Sequence, residues 1–194
     1  VDTLVVVSEM CIIGGSRYFG RRLIENLRDA GTAVTVFTRD EAFDFVSVRT
    51  AHVLGGADFT GRLAHYVRRI RAGLPVIVHE DPRPASFIHE REIARFLAWA
   101  ARADFTGPVN AASHGTLDVR QLCAAIGEPV YAVGEDTSPF SFDRGYAMDN
   151  GRATALGFRF SHVADWLPSV VQEALAGAAE PTLTADELAE LDRP

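Results

Sequence analysis

Two strand-like runs in this chain stand too close together for the fold that surrounds them. The stretch VTVFTRDEAFDFVSVR, Val34 to Arg49, holds VTVFTR and FVSVR with only Asp40 to Asp44 between them. Upstream, the chain reads as the opening of a parallel α/β sheet. MCIIGG from Met10 is a short apolar strand, and Phe19, Leu23, Ile24, Leu27 and Ala30 then recur at helical spacing. Gly31 closes that helix ahead of AVTVFTR. Consecutive parallel strands need a crossover of a dozen or more residues, usually helical. Five residues hold no helix, and such a run spans at most about 17 Å. Three closures satisfy the seam: FVSVR enters the sheet of a second copy, it pairs antiparallel with the strand before it, or the chain joins segments that a fuller domain keeps apart.

Composition narrows the function classes. The 194 residues are 47% hydrophobic and 23% charged, enough to bury an ordinary core. A formal charge of −7 argues against an electrostatic nucleic-acid binder. No apolar run approaches a membrane span and no basic region precedes a signal-like core, so the expectation is a cytoplasmic protein without a membrane partner. Cys11 and Cys123 offer neither a disulfide framework nor metal-ligand spacing, and read as small buried hydrophobes. All 19 basic residues are arginine. A chain with no lysine has no lysine for a Schiff base, a phosphate contact or a proton relay.

Beyond the seam, TAHVLGGAD (Thr50 to Asp58) reads as a loop and about Thr60 to Ala72 as a helix with Leu63, Tyr66, Val67 and Ile70 on one side. PVIVHEDPRPASFIH reads as two short strands around a proline-rich turn. Helices follow at Glu90 to Ala101, Leu117 to Ile126, near Asp149 to Leu156 and near Asp165 to Ala176, with strands at PVNAA and Val130 to Val133. The tail TADELAELD pairs Thr184 with Glu187 as in a capping box, the mark of a short acidic surface helix.

CIIGGSRYFGRR places Gly14, Gly15 and Gly20 between a strand and a helix. Glycines there let backbone amides approach a pyrophosphate that the helix N-terminus stabilises. Arg17 stands where the middle glycine of such a turn is expected. The turn residues Gly14, Gly15, Ser16, Arg17, Tyr18, Phe19 and Gly20 are the candidate cofactor cradle, and the alternative is a tight turn without a ligand. Arg39 ends the second strand, where an acid would bind an adenine ribose and an arginine can pair a 2′-phosphate, which tilts the reading from NAD toward NADP.

IGGSRYFGRRLIENLRDAGTAVTVFTR resembles the opening of the NAD-dependent epimerase/dehydratase family, the extended or atypical short-chain dehydrogenases, and is similar to its branch with a Gly-Gly-Thr-Arg-Phe turn. FVSVRTAHVLGGAD resembles the family's sixth strand and following loop. YVRRIRAGLPVIV, SFIHEREIARFLAWA, GPVNAASHGTLDVRQL and MDNGRATALGF are similar, in order, to its substrate lobe, so the resemblance runs over residues 10 to 176. It implies a Rossmann-like, doubly wound parallel sheet, truncated by loss of its central strands and helices, with a small C-terminal α/β lobe. The implied organisation is a dinucleotide-binding part at 1–58, to which strand 107–111 returns, a substrate-lobe part at 59–180 and an acidic tail at 181–194.

The family would carry its catalytic serine or threonine and its Tyr-x-x-x-Lys pair between Arg39 and Phe45. Tyr18, Tyr66, Tyr131 and Tyr146 have no lysine to follow them. Arginine does not readily lose its proton, so the family's oxidoreductase chemistry is not expected. The resemblance brings Arg49, His52, His89 and Asn110 near the substrate cleft and puts Glu92 at the place of a usual aspartate. His52 and His89 are the acid–base candidates, each also readable as a packing residue. His79, Glu80 and Asp81 alternate along an extended run and make no metal site. His65, His114 and His162 read as surface or packing residues. Three functions fit: a repurposed tailoring enzyme acting on a small molecule, a non-catalytic binding or accessory subunit, or a fragment of a normal enzyme. The open sheet flank adds the expectation of a homodimer, with strand exchange as one form of it.

Overall fold

The computed structural model describes residues 9–13, 33–37, 46–55 and 60–177. The chain divides into two compact units, Val1–Asp44 and Phe45–Pro194. In the first, β1 (Glu9–Ile13) and β2 (Ala33–Phe37) pair in parallel, Glu9 opposite Ala33 through Ile13 opposite Phe37. Residues 14–32 between them supply the length that a parallel crossover requires. The glycine turn, the expected helix after it, the seam Asp40 to Asp44 and the tail lie outside the described residues.

The second unit is built from three parallel strand pairs and five helices among the described residues. β3 (Val46–Thr50) pairs with β7 (Gly107–Ala111), β4 (His52–Leu54) with β6 (Phe87–His89), and β5 (Val76–Val78) with β8 (Tyr131–Val133). The helices are α1 (Arg62–Arg71), α2 (Glu90–Ala100), α3 (Val119–Ile126), α4 (Gly151–Ala155) and α5 (Val163–Gly177). This is a mixed α/β architecture with parallel strands, as the sequence led one to expect.

Each longer helix follows from its apolar spacing. Leu63, Tyr66 and Val67 bury one side of α1, and Gly73 at φ +67° turns the chain after it. Val163, Trp166, Leu167, Val170 and Val171 make the buried stripe of α5. In α3, Asp118 accepts from the Gln121 amide while the Gln121 side chain accepts from the Asp118 amide, a reciprocal cap. Burying one such Leu or Val side chain stabilises by roughly 1.5–3 kcal/mol, so Val170→Asp would break the α5 seam.

The β4/β6 ladder separates two cores. His52 lies opposite Phe87 and Leu54 opposite His89, and this face meets a cluster with Tyr66, Phe140, Leu122 and Trp166. Ile88 and Val53 point the other way, into a cluster with Phe96, Val109, Ala111, Phe158 and Phe160. In β3 and β7, Val46, Val48, Val109 and Ala111 turn to this second cluster and Ser47, Arg49, Pro108 and Asn110 to the other face. α4 is tied to β7 by Asn110 Nδ2 donating to the Asp149 carbonyl at 2.7 Å and by Arg152 donating to the Thr106 and Pro108 carbonyls.

One local expectation is corrected. The loop after β3 contains a short strand, His52–Leu54, because the His52 amide donates to the Ser86 carbonyl and the chain goes on pairing with β6. The two short strands expected in PVIVHEDPRPASFIH are present as β5 and β6, β5 pairing with β8 and β6 with β4. The pairing of β3 is parallel, to β7, among the described residues.

Candidate functional site

The ladder of β3 and β7 ends where that of β4 and β6 begins, and the strands part there. The Ala51 amide still donates to the Ala111 carbonyl at 2.9 Å, but the next amide, His52, donates to Ser86, and the Ser113 amide donates to Phe87. A cleft of about 310 Å³ opens at this handover, past the carboxyl end of β3, lined by Thr50, Ala51, His52, Ser86, Tyr146 and Met148. A second compartment of about 170 Å³ lies past the carboxyl end of β7, lined by Ser113, His114, Thr116, Asp149 and Asn150. The two share Ser86 and Met148. Carboxyl ends of parallel strands are where open α/β sheets place ligands.

The outer wall is held by backbone pairing. The Tyr146 amide donates to the Pro84 carbonyl at 2.9 Å, the Ser86 amide to the Tyr146 carbonyl at 3.1 Å, and the Met148 amide to the Ser86 hydroxyl at 2.9 Å. Tyr146 is thereby presented to solvent, 46% exposed, with its ring tilted on Phe142. In the second compartment, Asn150 Nδ2 donates to the Ala112 carbonyl at 2.8 Å and lies 3.2 Å from His114 Nδ1.

His52 is held in an aromatic box. Its ring stacks on Phe142 with centroids 5.2 Å apart, meets Phe140 edge-on at 5.3 Å and leans on Phe87 at 5.6 Å. The Arg62 guanidinium sits 5.0 Å over the Phe140 ring. Burial, and then the charge of Arg62, lower the His52 pKa from its ordinary value. The imidazole is therefore neutral at neutral pH and keeps one nitrogen able to accept a proton.

The other candidates are placed differently. His89 caps α2: its Nδ1 accepts from the Arg91 amide at 3.0 Å and its ring meets Trp166 edge-on at 5.6 Å. Arg49 is exposed, on the polar face of β3 opposite Asn110. Glu92 is buried, 3% exposed, and accepts from the Ser113 hydroxyl at 2.6 Å and from the Ser161 amide and hydroxyl at 2.7 and 2.9 Å. His52 alone of these lines the cleft. Gly14, Gly15, Ser16, Arg17, Tyr18, Phe19, Gly20 and Arg39 lie outside the described residues.

Sequence reasoning missed Thr50, Ser86, Tyr146 and Met148. Tyr146, in the polar stretch DRGYAMDN, was the visible signal, an aromatic with no apolar periodicity to bury it. Among the described residues, no group of three His, Cys, Asp or Glu side chains is placed to hold a metal, and no helix is long and apolar enough to cross a membrane.

These elements define a Rossmann-like α/β protein. No protein-family model and no curated protein matches the chain. Solved structures do. The UDP-N-acetylglucosamine 4-epimerase of Methanobrevibacter ruminantium, in complex with UDP-N-acetylmuramic acid, aligns with TM-score 0.54 at 16% identity, covering 82% of this chain and 52% of that one. The UDP-glucose 4-epimerase of Thermotoga maritima, with UDP-glucose, aligns at 0.53 and 19% identity, covering 84% and 52%. The Bordetella bronchiseptica enzyme WbmH, in complex with NAD+, aligns at 0.54 and 18% identity, covering 91% and 64%. The chain thus has the Rossmann-like epimerase fold and spans about half the length of the first two structures.

Proposed function

We propose that this chain is an NAD(P)-binding relative of the sugar-nucleotide epimerases, repurposed for acid–base chemistry on a small molecule in the two-compartment cleft, without the family's hydride transfer. The observation that carries the reading is the cleft itself: two neighbouring compartments that share Ser86 and Met148 past the carboxyl ends of β3 and β7, with a neutral His52 in the wall of one. The parallel β1/β2 pair around the glycine turn supports a dinucleotide cradle, with Gly14, Gly15 and Gly20 at the pyrophosphate and Arg17 and Arg39 toward a 2′-phosphate. Bound there, a nicotinamide dinucleotide would supply hydride chemistry. This chain offers no lysine to accompany it.

UDP-sugars, bound in two of the structural neighbours, are the first ligands to try. Calorimetry of the full chain with a UDP-sugar panel, on wild type, His52→Asn and Tyr146→Ala, tests the site. Binding weakened at least tenfold by both changes, together with turnover lost only in His52→Asn, is the expected result. Turnover indifferent to His52 would end the acid–base reading.

A binding or accessory subunit is the second reading, favoured because His89 and Glu92 are engaged in a helix cap and a buried network. Ligand binding without any turnover across the panel selects it. A homodimer is proposed on the open outer edge of β3, which has β7 alone as partner among the described residues. Light scattering at micromolar concentration returning a monomer mass would remove it.

A further inference from the structure

The solvent side of α2 is a single basic and apolar face. Glu92, Phe96 and Ala100 are buried, and the opposite arc presents Arg91, Arg95, Leu97 and Ala98, all exposed, with the exposed Arg102 just past the helix end. Leu97 is 49% exposed. Beside it lies a depression of about 420 Å³ lined by Arg95, Ala98, Trp99, Arg102 and Ala103. Arg95 leans 6.0 Å over the Phe158 ring and reaches Glu92 at 3.3 Å, and no hydrogen bond or ion pair engages the Arg102 guanidinium among the described residues. The one acid of this helix besides Glu92, Glu90, folds over Gly55 instead. In a chain of net charge −7, two arginines, Arg95 and Arg102, flanking an indole and the exposed Ala98 are an unbalanced surface.

We propose that this face docks the chain's own acidic C-terminal segment, residues 178–194. Charge complementarity carries the assignment. The segment holds Asp186, Glu187, Glu190 and Asp192 interleaved with Leu183, Leu188 and Leu191, against the single base Arg193. Its Thr184–Glu187 spacing is that of a capping box, and at helical spacing Leu188 and Leu191 would share a side. A helix of that pattern lays its leucines in an apolar depression and its carboxylates on the flanking guanidiniums. Reach is sufficient. α5 is described as far as Gly177, a run as long as residues 178–188 can span at most about 37 Å, and a folded unit of this length is roughly 40 Å across from its expected radius of gyration.

Hydrogen exchange on the full chain tests the docking. Amides 184–192 are expected to exchange at least tenfold more slowly than unprotected amides in the wild type. Ala98→Glu with Arg102→Glu removes that protection, and Glu187→Arg with Glu190→Arg added to the same chain restores it. Both groove positions are exposed, so these changes leave the buried side of α2 intact. Unprotected tail amides in the wild type overturn the proposal, as does protection indifferent to the groove charges. Protection that grows with protein concentration gives the groove to the tail of a second copy and overturns the intrachain form.

Discussion

Glu92 Oε2 accepts a 2.6 Å hydrogen bond from the hydroxyl of Ser113, and that hydroxyl oxygen accepts another, at 3.1 Å, from the Trp166 indole. The carboxylate's second oxygen takes the Ser161 amide and hydroxyl. One buried acid thus joins the start of α2, the segment after β7 and the approach to α5, directly behind the smaller compartment of the cleft.

Removing that acid leaves an amide and two hydroxyls without their acceptor. Glu92→Ala is expected to lower stability by about 3 kcal/mol, and Glu92→Gln by about half as much because one acceptor oxygen survives. Urea unfolding midpoints measure both. An alanine variant as stable as wild type would mean that the network contributes no net stability.

His52 makes stability depend on pH with a definite sign. Burial and Arg62 lower its folded pKa below the ordinary value of 6.5, so protons favour the unfolded chain. Its contribution is fully present above about pH 6.5 and is lost as pH falls from there toward the folded pKa. The difference in unfolding free energy between wild type and His52→Asn is expected to shrink over that window. An NMR titration of the ring should give a midpoint below 6.5, and Arg62→Gln should raise it only in part, since burial is the larger cause. A midpoint at or above 6.5 contradicts the aromatic box as the dominant influence.

Tyr66 shows the opposite case, a group that the core would keep better without its oxygen. The side chain is fully buried and its hydroxyl has no hydrogen-bond partner among the described residues. Burial also drives its pKa upward. Tyr66→Phe deletes only that oxygen and is expected to raise stability by about 1 kcal/mol. Thermal denaturation decides it: a lower melting temperature in the variant would reveal a partner for the hydroxyl, such as a buried water.

What was legible in the sequence was what repeats locally. α2 was expected at Glu90 to Ala101 and ends at Ala100, because Ile93, Phe96 and Ala100 mark its period in one short window; Leu97, expected inward with them, is instead exposed. β4 was not legible: three residues, His52–Leu54, are too few to show alternation, and their partner β6 lies more than thirty residues away. The cleft wall was hidden for the same reason, since Ser86 and Tyr146 meet through backbone bonds across sixty residues. Glu92 was legible as a position but not as a role. Only the folded chain shows its carboxylate closed off by Ser113 and Ser161.

The cofactor sets the last prediction. WbmH is held with NAD+ in its structure, and the fold here is of that kind, so a nicotinamide dinucleotide is the natural probe. Two sequence facts then pull apart binding and reaction. In the proposed cradle Arg17 and Arg39 would pair a 2′-phosphate, an expectation of NADP over NAD, whereas the absence of lysine removes the group that would lower a tyrosine's pKa for proton transfer. Calorimetry is expected to show NADP bound more tightly than NAD, and Arg39→Ala to erase the difference. Reduced nicotinamide mixed with the full chain and a panel of carbonyl compounds and UDP-sugars is expected to keep its absorbance. Equal affinities that Arg39→Ala leaves untouched would remove the 2′-phosphate assignment alone. Substrate-dependent oxidation of the cofactor would be more damaging, because it would require a proton donor that does not depend on lysine and would return the chain to oxidoreductase chemistry.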